Sequence, residues 1–80
     1  MRVRFRDVNT VREFVEAVQH LPFDINVSDN HRLLDGKSFL SLVNLDLNKV
    51  VTVTPVTNDF DRIDQFYGAV WKFREASKNE

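Results

Sequence analysis

Phe23-Asp24-Ile25-Asn26-Val27-Ser28-Asp29-Asn30-His31-Arg32-Leu33-Leu34 alternates apolar and polar side chains, breaks at a cluster of turn-formers and resumes with two leucines. A period of two puts Phe23, Ile25 and Val27 on one face and Asp24 and Asn26 on the other. Ser28 to His31 supplies the turn chemistry, so the stretch reads as a β-hairpin with one buried and one wet face. An RNA-binding sheet would carry stacking aromatics where Asp24 and Asn26 stand, which argues against that use.

The flanking sequence extends the pattern in both directions. Upstream, Val3 and Phe5 alternate with Arg2, Arg4 and Arg6, a first strand. Thr10-Val11-Arg12-Glu13 reads as a capping box, and Val11, Phe14, Val15, Val18 and Leu21 recur at helical spacing until Pro22 stops the helix near His20. Downstream, Asp35-Gly36 ends the hairpin and Ser38 caps a short helix from Phe39 to Leu45. Val50 to Thr54 is β-branched and ends at Pro55, a fourth strand. Phe60, Ile63, Phe66, Tyr67, Val70 and Phe73 mark a long amphipathic helix opened by Thr57, Asn58 or Asp59. The order βαββαβα predicts one α+β domain over residues 1–80, an open-faced sandwich. Its four-stranded, mainly antiparallel sheet carries three helices on one face.

Composition narrows the function. With 80 residues and no cysteine, the chain must rely on packing, which suits a reducing interior. There is no membrane-length apolar run, and the charged start Met1-Arg2-Val3-Arg4 lacks a signal-peptide core, so a cytoplasmic protein beginning at Met1 is expected. A net charge of -1 gives no long-range attraction for nucleic acid. His20 and His31 have no second metal ligand three or four residues away. No nucleophile triad, phosphate-cradling glycine loop or carboxylate pair is present, so neither a cofactor nor an enzymatic activity is expected.

Four surface features carry two readings each. Arg2, Arg4 and Arg6 read as a charge-protected edge strand, with an anion-binding stripe as the alternative. Phe60, Tyr67 and Trp71 read as the margin of the core, with an exposed aromatic platform as the alternative. In the short helix, Phe39, Leu42 and Leu45 can face the core while Leu40, Val43 and Leu47 fall on another face, either as a partner site or beneath the loop to strand four. Ser38 reads as an N-cap, and also as a phosphorylation site where the helix N–H groups are free.

Asp35-Gly36-Lys37-Ser38-Phe39-Leu40-Ser41-Leu42-Val43-Asn44-Leu45, followed by Val51-Thr52-Val53, resembles the segment around the regulatory serine of HPr. HPr is the histidine-containing phosphocarrier of the bacterial sugar phosphotransferase system. The element order is similar too, and the resemblance spans nearly the whole chain, though it is specific only in this central segment. It implies an open-faced βαββαβα sandwich, Ser38 of the Lys37-Ser38 pair as the target of an ATP-dependent HPr kinase, and docking through Phe39, Leu40 and Val43; Lys37 and Leu47 are expected to join that docking surface. The implied partners are other proteins: an HPr kinase, an enzyme I-like protein or a transcription regulator.

The chain departs from the family where phosphocarrier chemistry resides. The motif Gly-Leu-His-Ala-Arg-Pro-Ala should precede the first helix, but Arg6-Asp7-Val8-Asn9-Thr10-Val11 stands there. Counting back from Ile25 places Asp7 near the histidine's position, and the loop from strand one is several residues shorter. A carboxylate cannot relay phosphohistidine chemistry, so the resemblance implies a regulator or adaptor that does not accept phosphate from enzyme I. The alternative is a small-molecule-sensing domain of the ACT type, which shares the βαββαβ order and pairs edge to edge. An acylphosphatase-like enzyme would need an arginine-bearing glycine-rich loop that is missing.

Overall fold

Val51 and Val53 form the buried spine of a central strand, and the rest of the sheet is arranged about it. In the computed structural model, which describes residues 1–75, the elements are β1 (Arg2–Arg4), α1 (Val8–Val18), β2 (Ile25–Ser28), β3 (Leu33–Asp35), α2 (Phe39–Val43), β4 (Val50–Pro55) and α3 (Phe60–Val70). A 3-10 turn, Trp71–Phe73, follows α3. The strands lie in the order β1-β4-β2-β3, and each neighbouring pair is antiparallel.

This order makes β1 and β2 parallel with β4 between them, and β3 and β4 parallel with β2 between them. The crossovers α1 and α2 therefore fall on one face of the sheet, as the βαββαβα pattern predicts. There α1 lies between α2 and α3 and touches both. Val3, Ile25, Val27, Val51 and Val53 meet Val11, Phe14, Val18, Leu42, Phe66 and Val70 in one core. Phe14 sits edge-on to Phe5 at 5.1 Å and to Phe73 at 5.6 Å. Such aromatic pairs add roughly 1 kcal/mol each beyond area burial.

The opposite sheet face is largely polar. Arg2, Thr52, Ser28 and Leu33 form one cross-strand row, and Thr54, Asn26 and Asp35 the next. Leu33 is the large apolar side chain exposed there. Among the described residues no helix is long and apolar enough to cross a membrane.

Several expected details differ. α1 begins at Val8, with Asp7 as N-cap, and Thr10 stands at its third position. The Asp7 carboxylate accepts from both the Thr10 amide and hydroxyl, each at 2.8 Å. A charged acceptor satisfies the free N–H better than a hydroxyl would, so the helix starts three residues earlier than the Thr10-Glu13 pattern indicates. Phe60 does not belong to the buried stripe of α3; it opens the helix and is 84% exposed. Phe73 is buried as expected, but by a tightened 3-10 turn that leaves the α-helical path at Val70. β1 ends at Arg4, although Phe5 remains buried.

Candidate functional site

The surface around α2 rests on a turn that has little freedom. In Asp35-Gly36-Lys37-Ser38, the Asp35 carboxylate accepts from the Lys37 amide at 2.9 Å and the Gly36 amide donates to the Ile25 carbonyl at 2.7 Å. A Cβ on Gly36 would stand 2.6 Å from Ile25 Cγ2, so glycine is required by close approach to β2. Two bonds brace the turn against the end of α1: Lys37 Nζ donates to the Leu21 carbonyl and Gln19 Nε2 to the Lys37 carbonyl, each at 2.5 Å. The Lys37 ammonium is thus engaged by the fold, and its main local effect is to position the turn.

Ser38 is half-buried and is the N-cap of α2, its Oγ accepting from the Ser41 amide at 3.3 Å, a long bond. Leu42, fully buried, anchors the helix, and Leu45 is buried just beyond it. Phe39 and Leu47 pack partly against the core, and Val43 is half-buried. Leu40 is 74% exposed and stands at the crown of the helix. The Arg12 guanidinium lies 5.9 Å from the Phe39 ring centroid, placing a cation from α1 at the rim. The structure therefore brings Ser38, Phe39, Leu40 and Val43 onto one flank and puts Leu47 at its base. Arg12 joins them across the α1–α2 contact, which nothing in the local spacing signals.

Asp7 lies apart from this flank, at the exposed start of α1. Bonds from the Thr10 amide and then the Thr10 hydroxyl hold its carboxyl below the usual aspartate range, with the Asn9 amide adding to them. Its acceptor capacity serves the helix start.

The arginines of β1 divide. Arg4 grips the Glu75 carboxylate through Nε and Nη2, the latter at 2.9 Å, and donates from Nη1 to the Asn48 carbonyl at 2.7 Å. Asn48 adopts φ 71°, the left-handed region that asparagine tolerates, and its amide donates to the Phe5 carbonyl. Arg2 and Arg6 remain exposed. The Arg4 hydrogen bonds, aided by the charges of Arg4, Arg6 and Arg2, draw the Glu75 carboxyl below its ordinary value. The outer edge of β1 is also occupied: Val3 bridges to Arg74, and the Glu75 amide donates to the Arg2 carbonyl at 2.8 Å.

His20 is exposed at the end of α1, and His31 is exposed in the hairpin, where Asp29 organises the turn by accepting from the amides of His31 and Arg32. Among the described residues no cluster of three His, Asp or Glu side chains could hold a metal ion. On α3, Tyr67 packs against Trp71 at 6.5 Å and Arg74 stacks on Trp71 at 4.3 Å. Trp71 is 53% exposed, so with Phe60 it makes an exposed strip where a core margin was the expected reading. No protein-family model and no curated protein matches the chain.

Proposed function

We propose that this chain is an HPr-like docking protein that has lost the phosphocarrier histidine and engages partner proteins through the α2 flank. The observation that carries the reading is Leu40: 74% exposed, on a helix whose register is fixed by the fully buried Leu42. An exposed leucine on a braced helix can enter an apolar pocket at small conformational cost. Phe39 and Val43 extend its apolar surface, and Arg12 supplies a charge at the rim. The Asp7 cap supports the loss of phosphotransfer, because no imidazole stands at the start of α1 to accept a phosphoryl group.

Ser38 is the proposed switch. Its Oγ lies two residues from Leu40, and a phosphate there would add about -1.5 to -2 charges beside the apolar surface. Partners that bury Leu40 would be repelled by the desolvation cost, and partners with a basic rim would be recruited.

Intact-mass measurement tests both parts. The wild-type protein and Ser38→Ala are incubated with ATP and an HPr kinase, and in parallel with phosphoenolpyruvate and enzyme I. One phosphate from the kinase, absent in Ser38→Ala, with none from enzyme I, is the expected result. No phosphate in either arm removes the switch, and transfer from enzyme I removes the adaptor reading. For docking, Leu40→Ser should leave stability within about 0.5 kcal/mol of wild type, as exposed substitutions do, while abolishing partner binding measured by calorimetry.

A further inference from the structure

We propose that the outer flank of α3 is a self-complementary surface through which two copies of this chain pair, with their α3 helices antiparallel. This surface is separate from the α2 flank, because α1 lies between the two helices. Phe60, Asp64, Tyr67 and Trp71 recur at helical spacing, and their exposures of 84% for Phe60, 39% for Tyr67 and 53% for Trp71 leave three rings partly or wholly in water. The buried stripe of the same helix, Phe66 and Val70, points elsewhere.

The choice of a second copy rests on charge. Asp59, Asp61 and Asp64 outnumber Arg62 at the amino-terminal end of the strip, where Phe60 stands. Lys72 and Arg74 stand at the other end, and Arg2 of the neighbouring strand shares a crevice with Tyr67, Trp71, Arg74 and Glu75, whose carboxylate is already held by Arg4. The strip is thus acidic at one end, basic at the other and aromatic along its length. A two-fold axis near its midpoint lays Phe60 against Trp71 of the second copy and sets the acidic end opposite the second copy's basic end, twice over. Antiparallel packing also opposes the helix dipoles favourably. A nucleic acid or an anionic membrane would meet Asp61 and Asp64 beside Phe60, so neither complements the whole strip.

Gly68 supports the same reading. It lies within α3 between the strip and the crevice it lines with His20, Leu21 and Pro22, where glycine weakens a helix relative to alanine. A Cβ built there meets nothing within 4 Å, so no neighbour inside the fold requires its absence. Bare backbone at this point allows a facing helix to come close.

An α3 of 11 residues is about 16 Å long, too short to supply by itself the roughly 800 Å² per partner of a standard interface, so the pairing is weak, with Kd on the order of 100 μM. Sedimentation equilibrium of the full chain from about 5 μM to about 1 mM reads it directly. A monomer–dimer equilibrium is expected, weakened at least tenfold in Phe60→Ser, whose exposed position leaves the fold intact. Asp61→Lys/Asp64→Lys and Arg74→Glu should each be monomeric alone and recover a heterodimer when mixed, since only the mixture restores opposite charges at both ends. Circular dichroism and thermal melts confirm that each variant is folded. A wild-type chain that stays monomeric throughout, a Phe60→Ser variant that dimerises as well as wild type, or a mixture that fails to recover pairing overturns the proposal, and a monomeric chain leaves the strip to a foreign partner.

Discussion

The two outer helices of this sandwich both present apolar side chains to solvent, yet they are held in place by different means. α2 has five residues and one fully buried anchor, Leu42, so its orientation depends on its surroundings: the Ser38 cap, the Gly36 turn and the Lys37 and Gln19 braces to α1. α3 has eleven residues, an Asp59 cap accepting from two amides, and Phe66 and Val70 as anchors. A short helix presents a single protruding residue, Leu40, positioned by loop chemistry. A long one carries a patterned strip, because its own periodicity fixes where each residue lies.

Anchor deletion should separate the two helices most. Phe66→Ala should cost about 4 kcal/mol and Leu42→Ala about 3 kcal/mol, from lost transfer energy and residual cavity. Hydrogen exchange sharpens the contrast: Leu42→Ala should release α2 amides well below the global unfolding energy, whereas Phe66→Ala should lower protection throughout. Uniform loss in both variants would mean that α2 is as integral as α3.

Gly36→Ala should cost about 2 kcal/mol in urea denaturation, because the new methyl meets Ile25 Cβ at 2.8 Å as well as Cγ2. The opposite sign is expected for Gly68→Ala, which should raise stability by about 0.5 to 1 kcal/mol in the monomer while weakening association. A neutral Gly36→Ala would mean that the turn beneath α2 yields easily.

The smallest effect distinguishes the sides by pH. The Glu75 and Asp7 carboxyls are held below their ordinary values in the folded protein, so the stability they contribute is present above the unfolded pKa and is lost as pH falls through the lower folded value. As pH falls below about 4.5, the contacts of Glu75 with β1 and the start of α1 should loosen. The α2 cap, a hydroxyl, does not titrate in this range. Amide exchange at Arg4 and Thr10 should therefore rise before exchange at Ser41.

The sequence makes much of this fold legible, and for local reasons. Ser38 is legible as a cap and Leu42 as a buried position, whereas spacing leaves Leu40 open between exposure and burial beneath the loop to β4, and only the folded chain shows it exposed. The β2–β3 hairpin is legible because alternation and turn residues coincide. The start of α1 is not: Asp7 and Thr10 are both good caps, and only the formed hydrogen bonds show Thr10 serving Asp7. Phe60 misleads because it stands at a helix end, where one turn of periodicity cannot define a face. The Arg4–Glu75 and Arg12–Phe39 contacts join residues distant in sequence, which spacing does not register.

The location of β1 has a further consequence, which concerns time. As the chain is synthesised, Arg2–Arg4 leaves the ribosome before its partner, Val50–Pro55, and its outer edge finds no cover until Arg74 and Glu75 follow. During that interval the strand exists without neighbours, and an unpaired edge invites association with other nascent chains. Three arginines within five residues, Arg2, Arg4 and Arg6, would oppose such association by like-charge repulsion until Glu75 arrives to receive one of them. The stripe that borders the finished sheet would thus also guard the unfinished one.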